Sequence, residues 1–135
     1  MGANHDRLVR ELVMVQADGS RHVGMLPDVH AEFTRVEKRW RKKLEQHFKH
    51  YGIPETDMLE EHFKSLGHFP AGNTRDQSVH LFEFKARRHR LYGTIINVAS
   101  VQTFVGLKLV TDKKTNRADQ DLLRRIAKNF AAYLD

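Results

Sequence analysis

The chain has 135 residues, about one domain with a single buried core. Its 40% hydrophobic content and eight Phe exclude a disordered or collagen-like chain, and the lack of cysteine excludes disulfides, thiolate nucleophiles and cysteine-based zinc sites. Lys and Arg outnumber Asp and Glu by 23 to 17, and the net charge of +6 favours a polyanionic partner.

Absent cysteine also fits a reducing compartment. Met1 to Asp18 holds no apolar run of signal-peptide length, and no segment reaches the roughly 18 apolar residues of a membrane span. A cytoplasmic protein with no membrane association is expected.

In chain order, Leu12 to Val15 is a short apolar run. Ala17-Asp18-Gly19-Ser20 supplies turn chemistry before His22 to Leu26, so residues 1–27 read as a strand or hairpin extension. From His30 to Tyr51, Phe33, Val36, Trp40, Leu44, Phe48 and Tyr51 recur at steps of three or four, which predicts one amphipathic helix. Gly52 ends it, Pro54 is placed to open another, and Met58, Leu59, His62, Phe63 and Leu66 outline a second helix stopped by Gly67. Residues 28–67 are therefore expected to form a helical hairpin.

His68 to Gln77 reads as a loop, with Pro70, Gly72, Asn73 and Asp76 and no periodicity. Val79 to Phe84, Leu91 to Val98 and Phe104 to Val110 are rich in β-branched and aromatic residues and predict a three-stranded antiparallel meander. Asn116 or Asp119 is placed to cap a last helix whose stripe is Leu122, Leu123, Ile126, Ala127, Phe130 and Leu134. The expected whole is one α+β domain: a small antiparallel sheet with helices on one face, the other face open to a ligand, residues 78–135 forming the sheet and final helix.

The densest charge is Lys85-Ala86-Arg87-Arg88-His89-Arg90, at the connection between two apolar strands, where it can grip phosphates or simply solvate a hairpin tip. In an antiparallel meander the end of the third strand lies beside the start of the second, which brings Lys113 and Lys114 toward Arg90. The basic run Arg35, Lys38, Arg39, Arg41, Lys42, Lys43 and Lys49 reads as a solvated helix face. His47 and His50 lack a third metal ligand, no G-x-S-x-G or glycine-rich phosphate loop occurs, and neither metal nor cofactor is expected.

His80-Leu-Phe-Glu-Phe-Lys85, then His89-Arg90-Leu-Tyr92, then Gly106-Leu-Lys-Leu-Val-Thr-Asp-Lys113-Lys114-Thr115 and the closing helix resemble, in order and spacing, the RelE/ParE toxin superfamily. The resemblance is closest to its HigB-like, phage-derived branch and runs from about Asp28 to Leu134. Glu83-Phe84-Lys85 stands at the family's ELR motif, His89-Arg90 at its YR motif and Lys113-Lys114 at its KK motif. Lys85 replaces the usual arginine, His89 the usual tyrosine, and Asp112 an apolar residue.

The resemblance implies a RelE-like fold and a toxin of a type II toxin–antitoxin system. Its expected activity is ribosome-dependent, metal-independent cleavage of mRNA, in which a ribose 2′-hydroxyl attacks the adjacent phosphate. The expected catalytic residues are Arg90, Lys85, His89, Lys113 and Lys114, with Arg90 foremost in stabilising charge on the phosphoryl oxygens. Arg87, Arg88, Tyr92 and Tyr133 are expected to bind RNA, Tyr133 by stacking on a base. The implied partners are the ribosome, mRNA and a cognate antitoxin in a hetero-oligomer. Three other readings remain open: a non-catalytic nucleic-acid-binding module, a ParE-like inhibitor of DNA gyrase, and a phage or plasmid accessory domain with only a structural role.

Overall fold

In a computed structural model, residues 2–53, 58–113 and 119–135 are described. The elements are α1 (Ala3–Glu11), β1 (Val13–Gln16), β2 (Arg21–Met25), α2 (Pro27–Phe33), α3 (Lys38–Tyr51), β3 (Phe63–Pro70), β4 (Ser78–Ala86), β5 (His89–Val98), β6 (Val101–Val110) and α4 (Gln120–Phe130), followed by a 3-10 turn over Ala131–Tyr133. They form an α+β fold around one mixed six-stranded sheet of order β1-β2-β6-β5-β4-β3.

The meander forms as the strand composition predicts, with longer strands than expected. β4 and β5 are joined by Arg87-Arg88 alone and β5 and β6 by Ala99-Ser100, so Lys85, Ala86, His89 and Arg90 belong to strands. The expected hairpin is present as β1–β2, and β2 runs parallel to β6, pairing Val23 with Phe104. α1, which the sequence reading does not foresee, inserts Leu8 into the core; Asp135 receives the N–H groups of Asn4 and His5 at its positive end.

The helical hairpin over 28–67 does not form. The first predicted helix divides at Thr34–Glu37, where Thr34 Oγ1 donates to the Ala31 carbonyl and the turn lets Phe33 fold back on Phe48, ring centroids 5.9 Å apart. The second predicted helix is instead a turn over 60–62 followed by β3. Pro54, its expected start, lies outside the described residues. Pairing with β4 outweighs the helical spacing: Phe63 sits opposite Phe84 and packs on it at 4.6 Å, and edge position tolerates Pro70.

Nor is one sheet face left open to a ligand. α2 and α3 cover Phe84, Leu91 and Phe104 on one side; α1 and α4 cover Leu81, Tyr92 and Val105 on the other. α4 begins where expected, the Asp119 carboxylate accepting the Leu122 N–H at 3.1 Å; the alternative cap, Asn116, lies outside the described residues. Among the described residues no helix is long and apolar enough to cross a membrane.

Gly93 sits where the β5–β6 register shifts, and a Cβ there would lie 2.1 Å from the Val105 carbonyl oxygen and 2.5 Å from Phe104 Cζ. Gly67, at φ +95°, has open space around the same position. Gly93→Ala is expected to lose about 3 kcal/mol of stability by overpacking, and Gly67→Ala about 1 kcal/mol from backbone strain alone. Urea unfolding of the two variants measures the difference.

Candidate nucleic-acid interface

The charged corner of the sheet forms because β3 starts late. Before Phe63 the chain turns, and the Lys85 N–H donates to the His62 carbonyl at 2.8 Å, leaving Glu61 and His62 beside the end of β4. The β4–β5 turn projects beyond them, and the first turns of α3 pass alongside. Together they enclose an open cleft of about 420 Å3.

Among the described residues four cationic ones line it: Lys43 from α3, and Lys85, Arg87 and Arg90 from the hairpin, Lys85 through its main chain beside His47 while its side chain shares the sheet face of Glu83. They do not play one role. Arg90 is only 3% exposed and Nη1 donates to the carbonyls of Arg87 at 2.5 Å and His89 at 3.0 Å, so it shapes the turn. Arg87 is exposed, its backbone held in the left-handed region at φ 54°, and its guanidinium lies 5.4 Å from the Trp40 ring centroid. Burial pushes the Lys85 ammonium below its usual range, and neighbouring Lys64 adds to this, while Glu83 opposes it.

His47 forms part of the wall. It is 2% exposed and stacks on His62 with centroids 4.3 Å apart. Its pKa is lowered to about 4, first by burial and then by the charges of His62, Lys43 and His50. The Lys85 main chain opposes this weakly, but neither ring nitrogen makes a hydrogen bond of good geometry.

Behind the cleft, Glu83 is buried with Lys64 Nζ 3.8 Å from Oε1. Burial raises its pKa; Lys64, Arg90, Lys85 and Lys113 pull it back. Opposite it in register, Tyr92 is buried in the α4-side core and pushed up to about 12, first by burial and then by Glu83. Tyr92 is therefore a core residue with no surface to offer RNA.

The other expected residues divide. Lys113 does reach the hairpin, its N–H donating to the Arg88 carbonyl at 3.0 Å, and Arg88 Nη1 lies 3.6 Å from Asp112. Lys114 and Thr115 lie outside the described residues. His89 turns to a separate shallow cleft with Arg35, Glu37 and Thr111, its ring 6.3 Å from that of Trp40. Tyr133 packs half-buried against the α4-side core, donates to Glu11 at 2.7 Å and lies under Arg7, and is not brought to the cleft.

Trp40, Lys43, His47, Glu61 and His62 are the cleft residues that the sequence reading leaves out. His47 did carry a signal, since it falls on the apolar stripe three residues after Leu44 and four before Tyr51. No protein-family model, curated protein or solved structure matches the chain.

The depressed His47 pKa has a direct consequence for stability. The folded value of about 4 lies below the ordinary 6.5, so the neutral ring's contribution is fully present above pH 6.5 and is lost as pH falls toward 4. Between pH 7 and pH 4 the wild type is expected to lose about 2 to 3 kcal/mol more than His47→Gln. Unfolding curves of both proteins across that range test the difference in slope, whatever the variant's absolute stability.

Proposed function

We propose that the chain binds RNA through the Lys43–Lys85–Arg87 corner and cleaves it by the route of the RelE/HigB-like toxins it resembles. The carrying observation is the convergence of these cations with Trp40 and the His47–His62 pair on one open cleft. A phosphodiester needs such charge, because its transition state adds negative charge on the phosphoryl oxygens.

In the proposed reaction the ribose 2′-oxygen attacks phosphorus and the bond to the 5′-oxygen breaks, leaving a 2′,3′-cyclic phosphate and a 5′-hydroxyl. The 2′-hydroxyl proton leaves to a base and the departing 5′-oxygen gains one from an acid. His62, half-buried at the rim beside Glu61 at 3.7 Å, is the imidazole positioned to exchange those protons. Lys43 and Arg87 hold the phosphate, Lys85 adds charge from the Glu83 side of the sheet, and Arg90 keeps the turn in shape. Translated mRNA on the ribosome is the proposed substrate, and an acidic antitoxin covering the same corner the proposed partner.

The second reading, a non-catalytic RNA-binding module, draws support from the burial of Arg90 within its own hairpin. Incubating purified protein with translating ribosomes and with free message separates the two. Cleavage products with cyclic phosphate ends, formed in the presence of a chelator and blocked by 2′-deoxy substitution at the cut, are expected. RNA binding without turnover would instead leave the module.

Arg87→Gly is the sharpest variant, because the left-handed backbone suits glycine and the fold should stay within about 0.5 kcal/mol of wild type. RNA affinity is expected to fall roughly tenfold, with the slope of log affinity against log salt shallower by about 0.7. Unchanged affinity in Arg87→Gly would remove the corner from RNA binding.

A further inference from the structure

Trp40 is the chain's one tryptophan and stands at the start of α3, half-buried against the core but lining the cleft. Its indole carries two guanidinium groups, Arg39 at 4.5 Å and Arg87 at 5.4 Å from the ring centroid. Arg39 has a carboxylate within 3.8 Å, on Glu37. Arg87 comes from an exposed two-residue turn whose backbone is strained at φ 54°, and the indole is the group its guanidinium rests on.

An exposed cation over an aromatic ring is worth a factor of about two to five. A nucleobase stacked on an aromatic side chain is worth roughly 5- to 150-fold in affinity. A base therefore displaces an exposed arginine from the indole, and the displaced guanidinium remains at the cleft mouth to meet a flanking phosphate. Lys43, one helical turn after Trp40, supplies further positive charge. At about 420 Å3 the cleft falls within the range of small-ligand sites.

We propose that the cleft is a subsite for one unpaired nucleotide, its base stacked on Trp40 in place of Arg87 and its phosphate held by Lys43 and the displaced Arg87. This rests on the RNA-binding reading above and adds to it a demand for an unstacked base, which excludes duplex RNA from the subsite. Stacking by Tyr133, implied by the resemblance, is replaced by stacking at Trp40.

Because Trp40 is the sole tryptophan, its emission reports on this subsite directly. The full chain is titrated with a short single-stranded RNA, the same RNA as a duplex, and an abasic ribose-phosphate oligonucleotide of equal charge, following both binding and fluorescence. Single-stranded RNA is expected to quench Trp40 and to bind more tightly than the abasic chain, by up to about 75-fold once the displaced Arg87 contact is subtracted, while the abasic chain binds without quenching. Trp40→Leu should lose that advantage while keeping its affinity for the abasic chain, and Trp40→Phe should retain most of it.

Equal affinity for the base-containing and abasic chains, with unchanged emission, overturns the nucleotide subsite and leaves the phosphate-binding corner intact. Quenching by the duplex equal to that by the single strand also overturns it. Failure of all three to bind overturns both the subsite and the RNA reading beneath it.

Discussion

The placement of the cleft depends on the packing of Phe84. Its ring is buried in the centre of the sheet, edge-on to Phe48 at 5.0 Å, Tyr51 at 5.7 Å and Phe104 at 4.8 Å, and tilted against Phe63 at 4.6 Å. One side chain thus ties α3, β3, β4 and β6 together. From Phe48 back to Trp40 the helix covers about 12 Å, and from Phe84 on to Arg87 the strand covers about 10 Å. Trp40 consequently comes level with the β4–β5 turn, and Lys43 and His47 come level with Lys85. Aromatic burial in the core sets the geometry of a charged surface feature that contains none of those five rings.

Charge on the corner is held in two layers. Lys43 and Arg87 face solvent, whereas Glu83, Lys64 and Arg90 lie behind, with the carboxylate buried among cations. Removing Glu83 would leave Arg90 and Lys85 to repel each other in a poorly solvated region, a larger penalty than the same repulsion in water. The neutral His47 belongs to the same logic. Protonating it would add a charge beside Lys43, His50 and His62, so His47 stays neutral in the cleft wall near neutral pH.

Much of this was legible in the sequence where local chemistry and tertiary structure agree. The β4–β5–β6 meander follows from β-branched and aromatic runs, the Asp119 cap from its position before Leu122, and the approach of Lys113 to the hairpin from antiparallel geometry. β3 was hidden because Met58, Leu59, His62, Phe63 and Leu66 have helical spacing, and only pairing with β4 makes Phe63 a strand residue. Tyr92 and Arg90 looked like surface groups because charge density says nothing of what covers a strand, here α4 and the turn itself. Trp40 was read as core, since periodicity identifies a stripe but not which end of it protrudes past the sheet.

Backbone strain by itself does not single out the corner. Ala99 and Ser100 in the other two-residue turn are also left-handed, at φ 50° and 68°, and so is Asp76 at φ 54°. Each such residue costs of the order of 1 kcal/mol relative to glycine, so both two-residue turns of the meander are closed with strained non-glycine residues, whereas the β1–β2 turn uses Gly19. What separates Arg87 is its surroundings. Its turn is braced from inside by the Arg90 guanidinium, flanked by Lys113 through the Arg88 carbonyl, and aimed at an indole across an open cleft. Glycine would relieve the strain at Arg87 and abolish the charge; retaining arginine there keeps a cation at the one turn where Lys43, Lys85 and Trp40 converge.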